Sequence, residues 1–95
     1  MQINLKFIVV AGAQEAFGAT EFAFDLKGSS AGDLVREIIS KYGSLSKRVF
    51  LTNGHCETNL QIIVNGRKYV PPERMEDFHL QPGDTIIFTH LVEGG

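Results

Sequence analysis

The stretch SSAGDLVREIISKYG, residues 29–43, limits this chain more than any other. Leu34, Val35, Ile38, Ile39 and Tyr42 fall on one stripe of a 3.6-residue repeat, so the segment reads as an amphipathic helix with a single apolar face. Ser30 followed three residues later by Asp33 makes a capping-box pattern, and Asp33 stands at the positive end of the helix dipole. Gly43 sits where a left-handed C-terminal cap is expected. A helix with one apolar face must bury it against another layer, and the remaining sequence offers strands for that purpose.

Those strands show a period of two. Ile3, Leu5, Phe7 and Val9 alternate with Asn4, Lys6 and Ile8, the pattern of a half-buried strand. Gly12 to Gly18 reads as a connector. Phe22, Phe24 and Leu26 alternate with Glu21, Ala23 and Asp25 and suggest a hairpin with the first strand. In LQIIVNGRKYV, Asn65-Gly66 suits a two-residue type I′ turn, with Tyr69 and Val70 on the return strand. Pro71-Pro72 ends it, and ERMEDFHL reads as a turn or a 3₁₀ piece. QPGD is a type II turn with Pro82 and Gly83 at its centre. Thr85 to Leu91 is the last strand, with Ile86 and Phe88 on one side and Ile87 on the other. It is apolar on both faces, which places it centrally, beside the first strand. Ser44 to Asn59 carries little signal: a short helical or strand-like piece, then a turn-rich loop, TNGHCETN. The expectation is an α+β fold, a small mixed sheet of about five strands covered on one face by one main helix.

Composition removes several function classes. The 95 residues make one domain. The nine Lys and Arg are scattered and the net charge is −2, which argues against nucleic-acid binding. No window approaches a membrane span, and the opening MQINLKFIVVAGAQEA reads as a strand rather than a signal peptide. One cysteine, Cys56, excludes an internal disulfide and points to the cytoplasm. Metal binding is not expected: His55, Cys56, His79 and His90 lack the ligand number and spacing. No nucleophile–base pair stands out. Arg67 and Lys68 read as solvated turn residues, and His90 as an ordinary strand-end residue.

Three features in register, Asn65-Gly66, Gly83-Asp84 and the closing Gly94-Gly95, resemble the signature of the ThiS/MoaD family of ubiquitin-like sulfur carriers. In that family a "VN" hairpin precedes an apolar strand introduced by "GD", and the chain ends in Gly-Gly. VNGRKYV followed by LQPGDTIIF is similar to that pattern, and AGAQEAFG is similar to the family's connector after the first strand. A terminal Gly-Gly arises by chance in roughly one chain in two hundred, so the resemblance rests on all three together. It implies the β-grasp, or ubiquitin-like, fold over residues 1–91, with 92–95 as a flexible tail. The segment THLVE lacks the two prolines usual in molybdopterin-synthase small subunits, which brings it closer to the ubiquitin-related modifier branch.

The resemblance also implies what the tail does. The protein is expected to be a co-substrate rather than an enzyme, with the Gly95 carboxylate as the reactive group. An E1-like adenylyltransferase of the MoeB/ThiF type would activate it, using its own ATP and magnesium, and the product would be a thiocarboxylate. A carboxylate is a poor electrophile, and a mixed anhydride with AMP supplies the leaving group that acyl transfer needs. Gly94 lets the tail pass into a narrow site because it has no side chain; Glu93 either pairs with a basic groove there or is a solvated tail charge. The sulfur acceptor would be an enzyme such as the large subunit of molybdopterin synthase. Transfer RNA thiolation, thiazole or cysteine synthesis and protein modification are the alternatives, and a non-covalent β-grasp interaction module is a further one. Candidate docking residues are Ile87, Leu91, Phe88, Phe7 and Ile63. Ile87 and Leu91 suit a surface best, because Phe7 and Phe88 lie on central strands and read more readily as core.

Overall fold

The computed structural model describes residues 1–52, 55–56 and 60–90. The tail 92–95, with Glu93, Gly94 and Gly95, and the docking candidate Leu91 lie outside the described residues, as do parts of the 53–59 loop.

The elements run in the order β1 (Gln2–Ile8), α1 (Ala13–Phe17), β2 (Glu21–Asp25), α2 (Ala31–Tyr42), α3 (Ser44–Phe50), β3 (Leu51–Thr52), β4 (His55–Cys56), β5 (Leu60–Val64), β6 (Lys68–Val70), a 3₁₀ turn at Pro72–Arg74, and β7 (Thr85–His90). Five strands form one sheet in the order β2-β1-β7-β5-β6, and β3 pairs with β4 separately. The last strand lies centrally, as its two apolar faces suggest. It runs parallel to β1, matching Phe7 with Phe88, and antiparallel to β5, matching Ile62 with Phe88.

One face of the sheet is buried. Ile3, Leu5, Phe7, Phe24, Ile62, Val64, Val70, Ile86 and Phe88 join Leu34, Val35 and Ile38 of α2 in a single core. The Phe7 and Phe88 rings stack at 4.8 Å between centroids, Phe17 stacks on Phe7 at 4.7 Å, and Phe50 meets Phe88 nearly edge-on at 5.2 Å. This aromatic cluster holds two helices that local periodicity does not reveal. α1 replaces the expected connector and is bracketed by left-handed Gly12 and Gly18. α3 fills the first half of the ambiguous 44–59 segment.

The start of α2 is closed on every side. Ser30 Oγ accepts from Asp33 N at 3.0 Å and Asp33 Oδ2 accepts from Ser30 N at 3.1 Å, the reciprocal capping box read from the sequence. The carbonyls of Phe78 and Met75 take the N–H groups of Ala31 and Gly32, satisfying donors the helix itself cannot. Arg36 then bridges Asp33 and Glu76, fastening the loop after β6 to the helix. A side chain at Gly32 would run into the Glu76 carboxylate.

Two local expectations need correction. Val9 is not on the buried face of β1: the strand ends at Ile8, and Val9 takes φ 54° and is 72% exposed. Gly43 has the positive φ of a cap, 82°, but its ψ of −152° departs from the left-handed helix. That region is essentially restricted to glycine. It is used here because the chain turns directly into α3, where Ser46 Oγ donates to the Gly43 carbonyl at 2.6 Å.

Two outcomes test this packing. Phe88→Ala is expected to cost about 3–5 kcal/mol, read from urea denaturation, because it empties a site at the centre of the aromatic cluster. The Asp33 carboxylate is held well below the usual range by the N–H groups of Ser29 and Ser30 and by Arg36. A depressed folded-state pKa stabilises above the ordinary carboxylate range and loses its effect as pH falls through the folded-state value. The stability gap between wild type and Asp33→Ala is therefore widest near neutrality and closes in strong acid; a gap independent of pH contradicts the assignment.

Candidate functional site

Among the described residues no helix lies on the second face of the sheet, and the residues of that face follow from strand parity. Along β1 the buried residues are Ile3, Leu5 and Phe7, so Asn4, Lys6 and Ile8 face outward. On β5 and β7 the same alternation turns out Gln61 and Ile63, and Thr85, Ile87 and Thr89. The ladders line these up. Tyr69, Ile63, Ile87, Lys6 and Glu21 form one row across all five strands, and Gln61, Thr89 and Ile8 form the next.

The row grades from apolar to charged. Tyr69 is 51% exposed and Ile8 39%, while Ile63 and Ile87 are half-buried by their neighbours. Ile63 and Ile87 are directly cross-paired, which brings β-branched side chains into contact on a flat surface. Toward β2 the apolar strip gives way to Lys6 opposite Glu21.

This face divides the candidate docking residues. Ile63 and Ile87 are together on it. Phe7 and Phe88 are not: at 4% and 0% exposure they point into the core on the other side. The reason is register, since β5 places Ile62 rather than Ile63 opposite Phe88. Tyr69 and Ile8 were missed as members of the patch. Their signal was parity with Ile63 and Lys6, which becomes readable only once the strand pairing is known.

The face is also placed relative to the chain end. β7 leaves the sheet at His90, flanked by Leu60 of β5 and the end of β1, and His90 itself is half-buried. Ile87 precedes His90 by three residues, roughly 10 Å along the strand. A protein seated on Ile63, Ile87 and Tyr69 would have the root of the tail within reach.

Asn65 and Asp84 have a different task. Asn65 Nδ2 donates to Asp84 Oδ1 at 3.0 Å, and Asn65 Oδ1 accepts from Thr85 N at 2.9 Å. Asp84 Oδ2 accepts from Gln81 N at 2.8 Å. Asn65 and Gly66 both have positive φ, as a type I′ turn requires, and Arg67 N closes the turn on Val64 O at 3.1 Å. The ladder resumes at Lys68 opposite Val64, so Arg67 is one residue more than a two-residue hairpin contains. Gly83, at φ 86°, occupies the left-handed position of the QPGD turn. These residues clasp the β5–β6 hairpin to the start of β7.

No group of three His, Cys, Asp or Glu among the described residues is placed to hold a metal ion. The clearly shifted ionisable groups are Asp33, Arg36 and Glu76, and they belong to the helix fastening. Among the described residues no helix is long and apolar enough to cross a membrane.

No protein-family model matches the sequence, and no curated protein does. Solved structures do. SAMP1 from Haloferax volcanii matches with a TM-score of 0.72 and 21% identity, covering 100% of both chains. A Pyrococcus furiosus protein assigned as molybdopterin converting factor, subunit 1, matches at 0.68 and 23% identity, covering 97% of this chain and 99% of that one. A chain of the Amycolatopsis orientalis BexX/CysO complex matches at 0.67 and 15% identity, over 98% and 99%. The five-stranded mixed sheet with α2 across it is the β-grasp, ubiquitin-like fold.

The separation of faces has a measurable consequence. Tyr69→Ser and Ile8→Ser are expected to change stability by no more than about 1 kcal/mol each, as surface substitutions do. A loss of several kcal/mol in urea denaturation would show that these side chains are packed.

Proposed function

We propose that this protein is a ubiquitin-like sulfur carrier whose Gly95 carboxylate is the reacting group. The observation that carries the reading is Gly94-Gly95, placed a few residues beyond the central strand of a β-grasp domain. The whole-length likeness to a small archaeal modifier and to a protein assigned to molybdopterin conversion supports the same class.

In this reading the scaffold presents and a partner reacts. An E1-like adenylyltransferase docks on Ile63, Ile87 and Tyr69, with Leu91 at the tail root, and encloses the chain end. The Gly95 carboxylate attacks the α-phosphorus of ATP and pyrophosphate leaves. A sulfur nucleophile then displaces AMP from the carbonyl, so that one difficult substitution becomes two easier ones. Enclosure excludes water from the anhydride, and a tail of Gly94 and Gly95 fits a channel too narrow for side chains. ATP and magnesium belong to the enzyme. The thiocarboxylate then serves a sulfur-accepting enzyme, with a large molybdopterin synthase subunit as the leading candidate and tRNA thiolation, thiazole or cysteine synthesis as the other routes.

A second reading, attachment of Gly95 to protein lysines, is favoured by THLVE, which lacks the two prolines, and by the modifier named in the SAMP1 match. Both readings use the same adenylate and differ in the nucleophile that displaces AMP. A non-covalent interaction module would not form the adenylate.

Intact-mass measurement separates these cases. After incubation with ATP, a sulfide source and the host's activating enzyme, the full chain is expected to gain the mass difference of sulfur replacing oxygen. The chain lacking Gly94-Gly95 is expected to gain none while keeping its urea midpoint. Sulfur uptake by the shortened chain would refute the reading.

A further inference from the structure

A groove of about 460 Å³ lies between the β5–β6 hairpin and the turn before β7. Its apolar floor is Val64 and Phe78, and Arg67, Lys68 and His79 stand around it. Lys68 shares strand parity with buried Val70, so the groove is on the helix side of the sheet, away from the open face. β7 starts at the groove and ends at the tail root, roughly 17 Å away at the usual strand rise.

The charge in this groove is not internally balanced. Asp84 is the carboxylate that lines it, and both its oxygens already accept, one from the Asn65 side chain and one from Gln81 N. Among the described residues no ion pair involves Arg67 or Lys68, whereas Arg36 is paired twice. Two adjacent cations are thus carried on a hairpin locked by the Asn65–Asp84 clasp, in a chain whose net charge is −2. The clasp fixes the backbone that carries the two exposed cations, so a complementary charge has only their side chains to order.

We propose that this groove binds an acidic peptide segment of a partner protein. Its carboxylates pair with Arg67 and Lys68, and an apolar side chain between them rests on Val64 and Phe78. Arg67 and Lys68 project from neighbouring positions at the rim of an open trough, an arrangement that suits successive carboxylates along an extended chain better than one small anion. The groove lies at the end of β7 opposite His90, the last described residue of that strand. The inference stands apart from the sulfur-carrier reading: it predicts that the chain lacking Gly94-Gly95 binds the peptide unchanged.

The test is an amide NMR titration of the full chain at constant ionic strength with the capped peptide Ac-Glu-Asp-Phe-Asp-Glu-NH2. Its neutral counterpart Ac-Gln-Asn-Phe-Asn-Gln-NH2 and inorganic phosphate are run separately. The acidic peptide is expected to shift the amides of residues 64–68 and 78–84 selectively and to bind at least about tenfold more tightly than the neutral one. The paired substitution Arg67→Glu and Lys68→Glu, and separately Lys68→Gln, are expected to weaken it while the remaining spectrum keeps the folded pattern. No selective shift up to millimolar peptide overturns the proposal. So does equal binding of the neutral peptide, or inorganic phosphate reproducing the shifts at the same concentration, which would make the groove a small-anion site.

Discussion

The β7 strand is hydrogen-bonded on both edges, and the rest of the molecule is arranged around that fact. Its parallel neighbour is β1 and its antiparallel neighbour is β5, so the sheet's centre joins the first and last strands of the sequence. That pairing closes a loop of nearly the whole chain, an entropic cost that must be met by contacts formed at once. The Phe7–Phe88 stack and the buried Leu5–Ile86 pair lie along the same ladder and supply them. A central strand cannot fray from one side, which makes β7 the firmest element of the sheet up to His90.

The sheet's two faces then take different roles because one helix covers only one of them. α2 spends its apolar stripe on Ile3, Leu5, Ile86 and Phe88, and the aromatic cluster extends that layer with α1 and α3. The opposite face keeps half-buried isoleucines and an exposed tyrosine, a surface apolar enough to dock and too small to demand a permanent cover. The exposed Tyr69 and Ile8 are therefore separated from the core, and the buried Phe7 and Phe88 are closed to contact from outside. Phe7 and Phe88 fall on one side of that division and Ile63 and Ile87 on the other.

Much of this was legible in the sequence. Strand alternation up to Ile8, the helix with its capping box, the QPGD turn and the central position of the last strand were readable, while the Asn65-Gly66 hairpin was right in place and one residue short in length. What escaped was short or depended on register. α1 has five residues and α3 seven, too few for a 3.6-residue period to stand out, and both are held by Phe17 and Phe50 meeting rings distant in sequence. The division of docking candidates required knowing that Ile62, and not Ile63, faces Phe88. The tail reading rests on Glu93, Gly94 and Gly95 as sequence and chemistry alone.

The residues that made the resemblance are not those that would react. Asn65 and Asp84 bind each other and the backbone of Thr85 and Gln81, and Gly83 supplies a backbone angle; their work is to join a hairpin to the strand that carries the tail. A scaffold lock of this kind says how the start of β7 is fixed, while chemistry resides in a site grafted on the fold. It also shapes the groove beside it: Asp84 lines that groove while accepting from Asn65 and Gln81, and among the described residues no ion pair involves Arg67 or Lys68. The three hydrogen bonds that tie Asn65 and Asp84 to each other, to Thr85 and to Gln81 therefore anchor the start of β7 and, with it, the hairpin that carries Arg67 and Lys68 beside the groove.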